Sequence, residues 1–353
     1  TWNQNFRVAR SILEMELGNV KLQPIQFSSD LKVSDIFTNK TASAGAIGSG
    51  GKEKNWLKIL NYANILWRGI ESDSNFSELW IPAIPAHRAQ FKDISFDGHF
   101  NPNYKEKNRL IWVVDAATVV IEALFARPMI AYTKRAFRGY AGGKTPQELI
   151  HYITQASGHI PYWYCTDYSK FDQTIPSWLI KVCFDEVRRL YPAKYKKYID
   201  WIQYNFINTK MLLPDGSVVQ VHKGIPSGSN FTQLIGSMAN FLMGCTYLAS
   251  LFDGPSDYKY HSVVNMMTVP GDRGVNMYVM GDDNLFFVNR ELDLDRMAAY
   301  LTSNFGVKVN ADKTVSGYMS DPLFLHRKWT MNGCDRDQVE MCLNLIFPER
   351  ERT

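Results

Sequence analysis

Five cysteines among 353 residues, odd in number and with no C-x-x-C pair, support neither a disulfide framework nor a zinc ribbon. Cys165, Cys183, Cys245, Cys334 and Cys342 stand among apolar or mixed neighbours, so each reads as a small hydrophobe in a reducing compartment. No apolar run reaches the length of about 18 that a membrane span needs, because the longest candidate, 110–126, is interrupted by Asp115 and Glu122. The chain opens Thr1-Trp2-Asn3, with no methionine, charged n-region or apolar h-region; no secretory signal is expected, and the start reads as that of a fragment. Internal repeats and long low-complexity tracts are also missing, which excludes solenoids and fibrous chains.

What is present suits a globular enzyme of two or three subdomains: 45% of residues are apolar and 21% charged. A net charge of +4 permits a nucleic-acid partner without demanding one. The glycine- and serine-rich stretch TNKTASAGAIGSGGKEK, 38–54, is a backbone-exposing loop. It fails as a Walker loop, since Ala46 stands where the first glycine belongs and Glu53 where Ser or Thr should bind magnesium.

Coarse patterning gives an irregular alternation of helices and strands. Residues 55–70 are helical; 109–126 passes from strand to helix; YWYCTDYSKFD, 162–172, opens as a strand ending at Asp167. Pro176 suits a first helical turn, followed by Ile180, Cys183, Phe184 and Val187 at helical spacing. Hairpins are expected at 210–221 and 278–288, the loop at 224–229 runs into a long apolar helix, and FLHRKWTM reads as a short strand. Central antiparallel hairpins make this α+β rather than a doubly wound sheet.

Residues 127–144 hold Arg127, Lys134, Arg135, Arg138 and Lys144 with three aromatic rings and no acid. Such a stretch fits a nucleic-acid groove, where cations meet phosphates and rings stack on bases, and equally a solvated face.

In YVMGDDNLFF, 278–287, Gly281, Asp282, Asp283 and Asn284 are ordinary turn residues, and taken alone the stretch needs no chemistry. Asp167, however, also stands where an apolar strand ends. Two such carboxylates could share divalent cations, since Mg²⁺ takes hard oxygen ligands and only one or two protein carboxylates, and neither segment needs a histidine. Two ions about 4 Å apart can stabilise the attacking and leaving oxygens of a phosphoryl displacement. Further along, Thr232, Gly236 and Asn240 recur every four residues, a slanting polar and small stripe on an apolar helix, with a capped helix as the plainer reading.

Together, Asp167-x₄-Asp172, Ser227-Gly228-x₃-Thr232-x₇-Asn240 and Gly281-Asp282-Asp283 resemble the palm motifs of viral RNA-dependent RNA polymerases, in their order and spacing. DYSKFDQTIP, GIPSGSNFTQLI and GDDNLFF look most like the double-stranded RNA virus group of partitiviruses and picobirnaviruses. The resemblance implies a right-hand polymerase, with fingers at 1–160, a palm at 161–335 carrying a fingers-side insertion at 191–223, and the start of a thumb at 336–353. It implies Asp167, Asp282 and Asp283 at two Mg²⁺ or Mn²⁺ ions, with Asp172, Ser227, Gly228, Thr232 and Asn240 about the nucleotide and its ribose.

Looser matches extend the carry-over. KNRLIWVV would place Arg109 and Lys107 on the triphosphate; TASAG would place Ser43 and Gly45 on the template path. Lys313 falls where the family has a lysine proposed as general acid, and His326 and Arg327 where a strand grips the product end. Arg127, Lys134, Arg135 and Arg138 would add RNA contacts. RNA template and product, nucleoside triphosphates and a viral capsid protein are the implied partners, and the virion interior or host cytoplasm the implied location. Met280 precedes the glycine where many positive-strand enzymes have Tyr. About 25 residues follow FLHRKW, too few for a helical thumb, so the thumb is expected to be short or truncated. A reverse transcriptase and a decayed, RNA-binding polymerase copy are the alternatives.

Overall fold

A computed structural model of the protein describes residues 1–96, 102–272, 274–338 and 341–342; for 88–96, 102–109 and 311 it describes the backbone only. The chain opens with helices α1 (Trp2–Leu17), α2 (Val33–Ile36) and α3 (Trp56–Glu71), then the hairpin of β1 (Ile84–Phe96) and β2 (Pro102–Val113). Helices α4 (Ala116–Ala136) and α5 (Pro146–His159) lead to strands β3 (Tyr162–Cys165) and β4 (Tyr168–Ser169). Helices α6 (Phe171–Thr174), α7 (Ser177–Arg189) and α8 (Lys196–Ile207) precede the hairpin of β5 (Lys210–Leu212) and β6 (Val218–Gln220). Next come α9 (Thr232–Ser250), α10 (Ser256–Met267), and the hairpin of β7 (Met277–Met280) and β8 (Asp283–Val288). The remainder is α11 (Leu294–Phe305), β9 (Lys308–Val309), β10 (Val315–Tyr318), β11 (Leu323–Phe324), β12 (Arg327–Thr330) and β13 (Gly333–Arg336).

The organising element is a four-stranded antiparallel sheet in the order β10-β3-β8-β7, as an α+β fold requires. Successive side chains go to opposite faces. Tyr164, Met277, Val279, Phe286 and Val288 join the main core, whereas Trp163, Tyr278, Leu285 and Phe287 join a second cluster with Leu149 and Ile153 of α5 and Trp329 of β12. Burial on both faces explains why these strands read as unbroken apolar runs rather than alternating ones. Each fully buried large side chain here contributes about 1.5–3 kcal/mol, so both faces anchor the sheet.

Helix α9 is buried from Leu234 to Ala249 except at Gly244, on all sides of its axis, as a core helix is. A Cβ on Gly244 would lie 2.4 Å from Met277 Cε, which shows how closely α9 lies on the sheet. Helix α4 is long and apolar enough to cross a membrane, yet 72% of its most apolar window is buried within the protein, the situation of a core helix. Pro128 sits inside α4 and offers no N–H to the Leu124 carbonyl; the Ile25 N–H supplies the missing bond at 2.9 Å.

One strand reading needs correction. FLHRKWTM is a hairpin, β11 and β12, turning at Leu325 and His326, whose φ values of 53° and 55° place both in the left-handed region. Two adjacent left-handed residues suit a tight hairpin turn, and neither is glycine, which hid the turn from sequence. Most of the expected thumb start, 336–353, lies outside the described residues.

Candidate active site

In the sheet β3 pairs with β8 at Tyr162–Val288, Trp163–Phe287 and Tyr164–Phe286, so the end of β3 meets the start of β8. Asp167, two residues past β3, is thereby brought to the same sheet edge as Asp283 and the turn residue Asp282. Gly281, at φ 64°, begins the two-residue turn of β7 and β8, a position that asks for glycine. Asp282 is exposed and Asp283 half-buried. Burial pushes the Asp283 carboxyl up to about 6; the Asp282 carboxylate adds to the rise, His326 opposes it, and Asp167 contributes least. The three carboxylates therefore lie within electrostatic reach of one another.

Asp167 is held from the far side by the turn that follows β9. Asn310 N donates to its carbonyl at 2.8 Å, Asn310 Nδ2 to its Oδ2 at 2.5 Å, and Asp167 N to Thr314 Oγ1 at 3.4 Å. Lys313, exposed in the same turn, is hung on this clamp through its N–H to the Asn310 carbonyl at 3.1 Å.

The slanting stripe of α9 finds its partner in the carboxylate hairpin rather than in a neighbouring helix. A Cβ on Gly236 would stand 3.5 Å from Gly281 Cα, and Ser237 Oγ accepts from Gly281 N at 2.8 Å. Asn240 Nδ2 donates to the Gly281 and Asp282 carbonyls, both at 3.0 Å, and to the Asp283 carbonyl at 3.4 Å. Its Oδ1 accepts from Asn284 at 2.9 Å and from the Tyr168 hydroxyl at 3.3 Å. Asn240 is fully buried with both hydrogens and both lone pairs engaged by protein groups, so a ribose contact there would require one of these bonds to break. In this structure it pins the turn.

The 224–230 loop is bound on two sides. Gly224 N and Ile225 N donate to the carbonyls of Ile175 at 3.1 Å and Asp172 at 2.6 Å, which ties the loop to exposed Asp172 at the start of α6. Ser227 Oγ accepts from Trp112 N at 2.9 Å, and a Cβ on Gly228 would come within 2.4 Å of the Trp112 carbonyl. The end of β2, the strand that carries Lys107 and Arg109, thus abuts this loop; those two side chains lie outside the described residues. Thr232 Oγ1 closes the loop by donating to the Pro226 carbonyl at 2.5 Å. Buried Glu122 accepts from Ser229 Oγ and Asn230 N, both at 2.8 Å, and burial pushes its carboxyl up to about 7.

Ser43 and Gly45 form a tight loop against the start of α4: Gly45 N donates to Ser43 Oγ at 3.2 Å, and Ala116 N to the Ala44 carbonyl at 3.2 Å. A Cβ on Gly45, where φ is 79°, would meet Asp115 Cα at 2.9 Å. His326, at the β11 and β12 turn, faces Asp283 electrostatically, while Arg327 donates to Cys334 Sγ at 3.6 Å.

The basic stretch is not the free cationic face that a groove needs. Arg127 donates to the Asp35 and Ile36 carbonyls, Lys134 pairs with Glu148 at 3.2 Å, and Arg138 pairs with Asp272 at 2.8 Å and donates to Asn276. Lys144 donates to the carbonyls of Phe137 and Arg138. Exposed Arg135 is the member of the five without such an engagement among the described contacts.

Sequence reasoning passed over Asn284, Asn310 and Glu122. Asn284 shares the inward face of β8 with Phe286 and Val288, so a polar residue in an apolar period was the available signal. Glu122 was visible as an acid interrupting the apolar run of α4.

Chemically, the site offers hard oxygen donors at a rigid edge. Among the described residues no group of three or more His, Cys, Asp or Glu side chains is placed to hold a metal ion, so the protein would supply at most two such ligands. An open site of this kind fits Mg²⁺, which keeps waters and substrate phosphates alongside one or two carboxylates.

Residues 19–340 match the family described as viral RNA-dependent RNA polymerase. The chain belongs to that family. It is 28% identical over 229 residues to the RNA-directed RNA polymerase of Cryptosporidium parvum virus 1, a match covering 61% of this chain and 40% of the relative. A 129-residue stretch is 30% identical to the non-structural polyprotein 1AB of human astrovirus-4, over 32% of this chain and 9% of that one. The RNA-dependent RNA polymerase of a human picobirnavirus has the same fold, with a TM-score of 0.71 over 99% of this chain and 62% of the other, at 14% identity. The chain thus spans less than two thirds of the length of these relatives. Viral polymerases generally use divalent metal ions, in keeping with the carboxylate cluster.

Proposed function

We propose that this polymerase-family chain synthesises RNA from nucleoside triphosphates on an RNA template, by two-metal-ion nucleotidyl transfer. The observation that carries the reading is the meeting of Asp167, Asp282 and Asp283 at one sheet edge, beside a glycine-bearing loop tied to Asp172 and to the end of β2. We further assign 1–160 to fingers, 161–335 to palm with a fingers-side insertion at 191–223, and 336–353 to the start of a thumb.

Asp167 and Asp282 would hold the ions, with Asp283 an auxiliary carboxylate beside them. Two Mg²⁺ or Mn²⁺ ions, when bound, activate the 3′-hydroxyl of the growing strand and neutralise the leaving pyrophosphate. The 3′-hydroxyl gives up its proton to water as its oxygen bonds to the α-phosphorus and the bond to the pyrophosphate oxygen breaks, and Lys313 gives a proton to that leaving oxygen. Arg109 and Lys107 bind triphosphate, while Asp172, with Ser227, Gly228 and Thr232 supporting the loop, meets the ribose. Ser43, Gly45 and Arg135 line the template path, and His326 and Arg327 the product end; Arg127, Lys134 and Arg138 shape those walls through internal bonds. The double-stranded RNA virus relative favours work within a virion or the host cytoplasm, alongside capsid protein.

The test is incorporation on a short RNA template supplied with either NTPs or dNTPs. Complementary RNA from NTPs is the expected product. DNA from dNTPs instead would make the enzyme a reverse transcriptase, and RNA binding without incorporation of either would leave only a binding protein.

A further inference from the structure

We propose that Asn284 is a positioning residue: its buried amide sets the separation of Asp167 from Asp282 and so governs how tightly these carboxylates take a divalent cation. This rests on the metal reading proposed above, and goes beyond it by naming what spaces the ligands.

Backbone pairing between β3 and β8 ends at Tyr164 and Phe286, short of all three carboxylates. Beyond that point side chains replace the ladder. Thr166 N, one residue before Asp167, donates to Asn284 Oδ1 at 3.0 Å, while Asn284 Nδ2 donates to Thr166 Oγ1 and, at 2.9 Å, to Asn240 Oδ1. Asn240 in turn donates to the carbonyls of the turn that bears Asp282.

The orientations follow from donor chemistry alone. Thr166 N can only donate, so Asn284 must present its oxygen there and its NH₂ to Asn240. Asn240 must then present its oxygen to Asn284, which turns its NH₂ toward carbonyls that can only accept. This route of hydrogen bonds joins the two carboxylate-bearing segments beside the longer bond from the Tyr168 hydroxyl to Asn240 Oδ1 at 3.3 Å, and every relay in it is buried: Thr166 is 3% exposed, Asn284 1% and Asn240 0%. Water cannot substitute for a lost link without a cavity to hold it. An apolar residue would satisfy packing at position 284, where Phe286 and Val288 share the face, yet would leave Thr166 N and Asn240 Oδ1 without these bonds.

Groups that orient metal ligands from behind alter metal affinity without touching the ion. The experiment is a Mn²⁺ titration followed by electron paramagnetic resonance, without RNA or nucleotide, on the parent, Asn284→Ala, Thr166→Val and the double variant, with melting curves for each. Asp282→Ala defines the binding that belongs to this site. Asn284→Ala is expected to weaken that binding about 10- to 100-fold, and Thr166→Val to weaken it in the same direction. The double variant should be no weaker than Asn284→Ala, because the Thr166 hydroxyl acts in this route only through the Asn284 amide. A folded Asn284→Ala that binds Mn²⁺ within about twofold of the parent overturns the inference. Should Asn284→Ala not fold, the nearly isosteric Asn284→Leu decides, since it fills the same space and loses the whole amide; unchanged Mn²⁺ binding there overturns the inference equally. A parent with no Mn²⁺ binding that Asp282→Ala removes overturns the metal reading first, and this inference with it.

Discussion

Asp115→Asn should stabilise the protein above neutral pH and cease to do so in acid. Asp115 caps α4, its Oδ1 accepting from Ala117 N at 2.8 Å, while Oδ2 meets no hydrogen-bond partner and the residue is 0% exposed. Burial raises its carboxyl from 3.8 to about 7, against the lowering effect of nearby backbone N–H groups. Because the folded state keeps the proton to about pH 7 and the unfolded chain releases it near 3.8, stability falls as pH rises between those values. At about 1.4 kcal/mol for each pH unit, the ionised form costs about 4 kcal/mol. Asparagine is as good a cap and carries no charge, but its NH₂ would be a buried donor without a partner, at about 1–3 kcal/mol. The net gain near pH 8 is then about 1–3 kcal/mol, and near pH 4 the variant should equal or fall below the parent. Urea unfolding of both proteins at the two pH values reads this directly. Glu16 and Glu122, also raised to about 7, act alike in both proteins and cancel in the difference. A variant less stable than the parent near pH 8, or a difference that ignores pH, would refute the reasoning.

Other substitutions probe the loop and the nucleotide. Gly228→Ala puts a Cβ 2.4 Å from the Trp112 carbonyl and 2.9 Å from Val114 N, backbone atoms that cannot swing away; it should cost about 1–3 kcal/mol in unfolding measurements and depress incorporation. Asp172→Ala should narrow the preference for NTP over dNTP about tenfold, the worth of one lost polar contact, and an unchanged ratio of kcat/KM values would remove Asp172 from the ribose. Arg109→Ala should chiefly raise the KM for NTP, because triphosphate charge is bound in ground and transition states alike; a fall in kcat alone would contradict that role.

Much of the site was legible in the sequence because its parts are local. Apolar strands that end in Asp167 and in Gly281-Asp282-Asp283 announce a sheet edge carrying carboxylates, and the four-residue stripe of Thr232, Gly236 and Asn240 announces a helix face awaiting a partner. The identity of that partner was not legible, since only the packing of α9 on β7 brings Asn240 to the turn. The bonding of the basic stretch was not legible for a similar reason: the groups that occupy Arg127 and Arg138 come from Asp35 and Asp272, far away in the chain. At Leu325 and His326 the turn is made without glycine, so no turn residue marked it. Asn284 reads as one more turn residue until β3 is laid beside β8.

The central claim is that the carboxylates at this sheet edge perform nucleotidyl transfer. Incorporation of labelled NTP on a short RNA template with Mg²⁺ or Mn²⁺, the parent run beside Asp282→Ala, tests it most directly. Asp282 is exposed at the turn, so its truncation leaves the packing around it intact. Template-complementary product from the parent and none from Asp282→Ala is the predicted result; equal product from both would contradict the account.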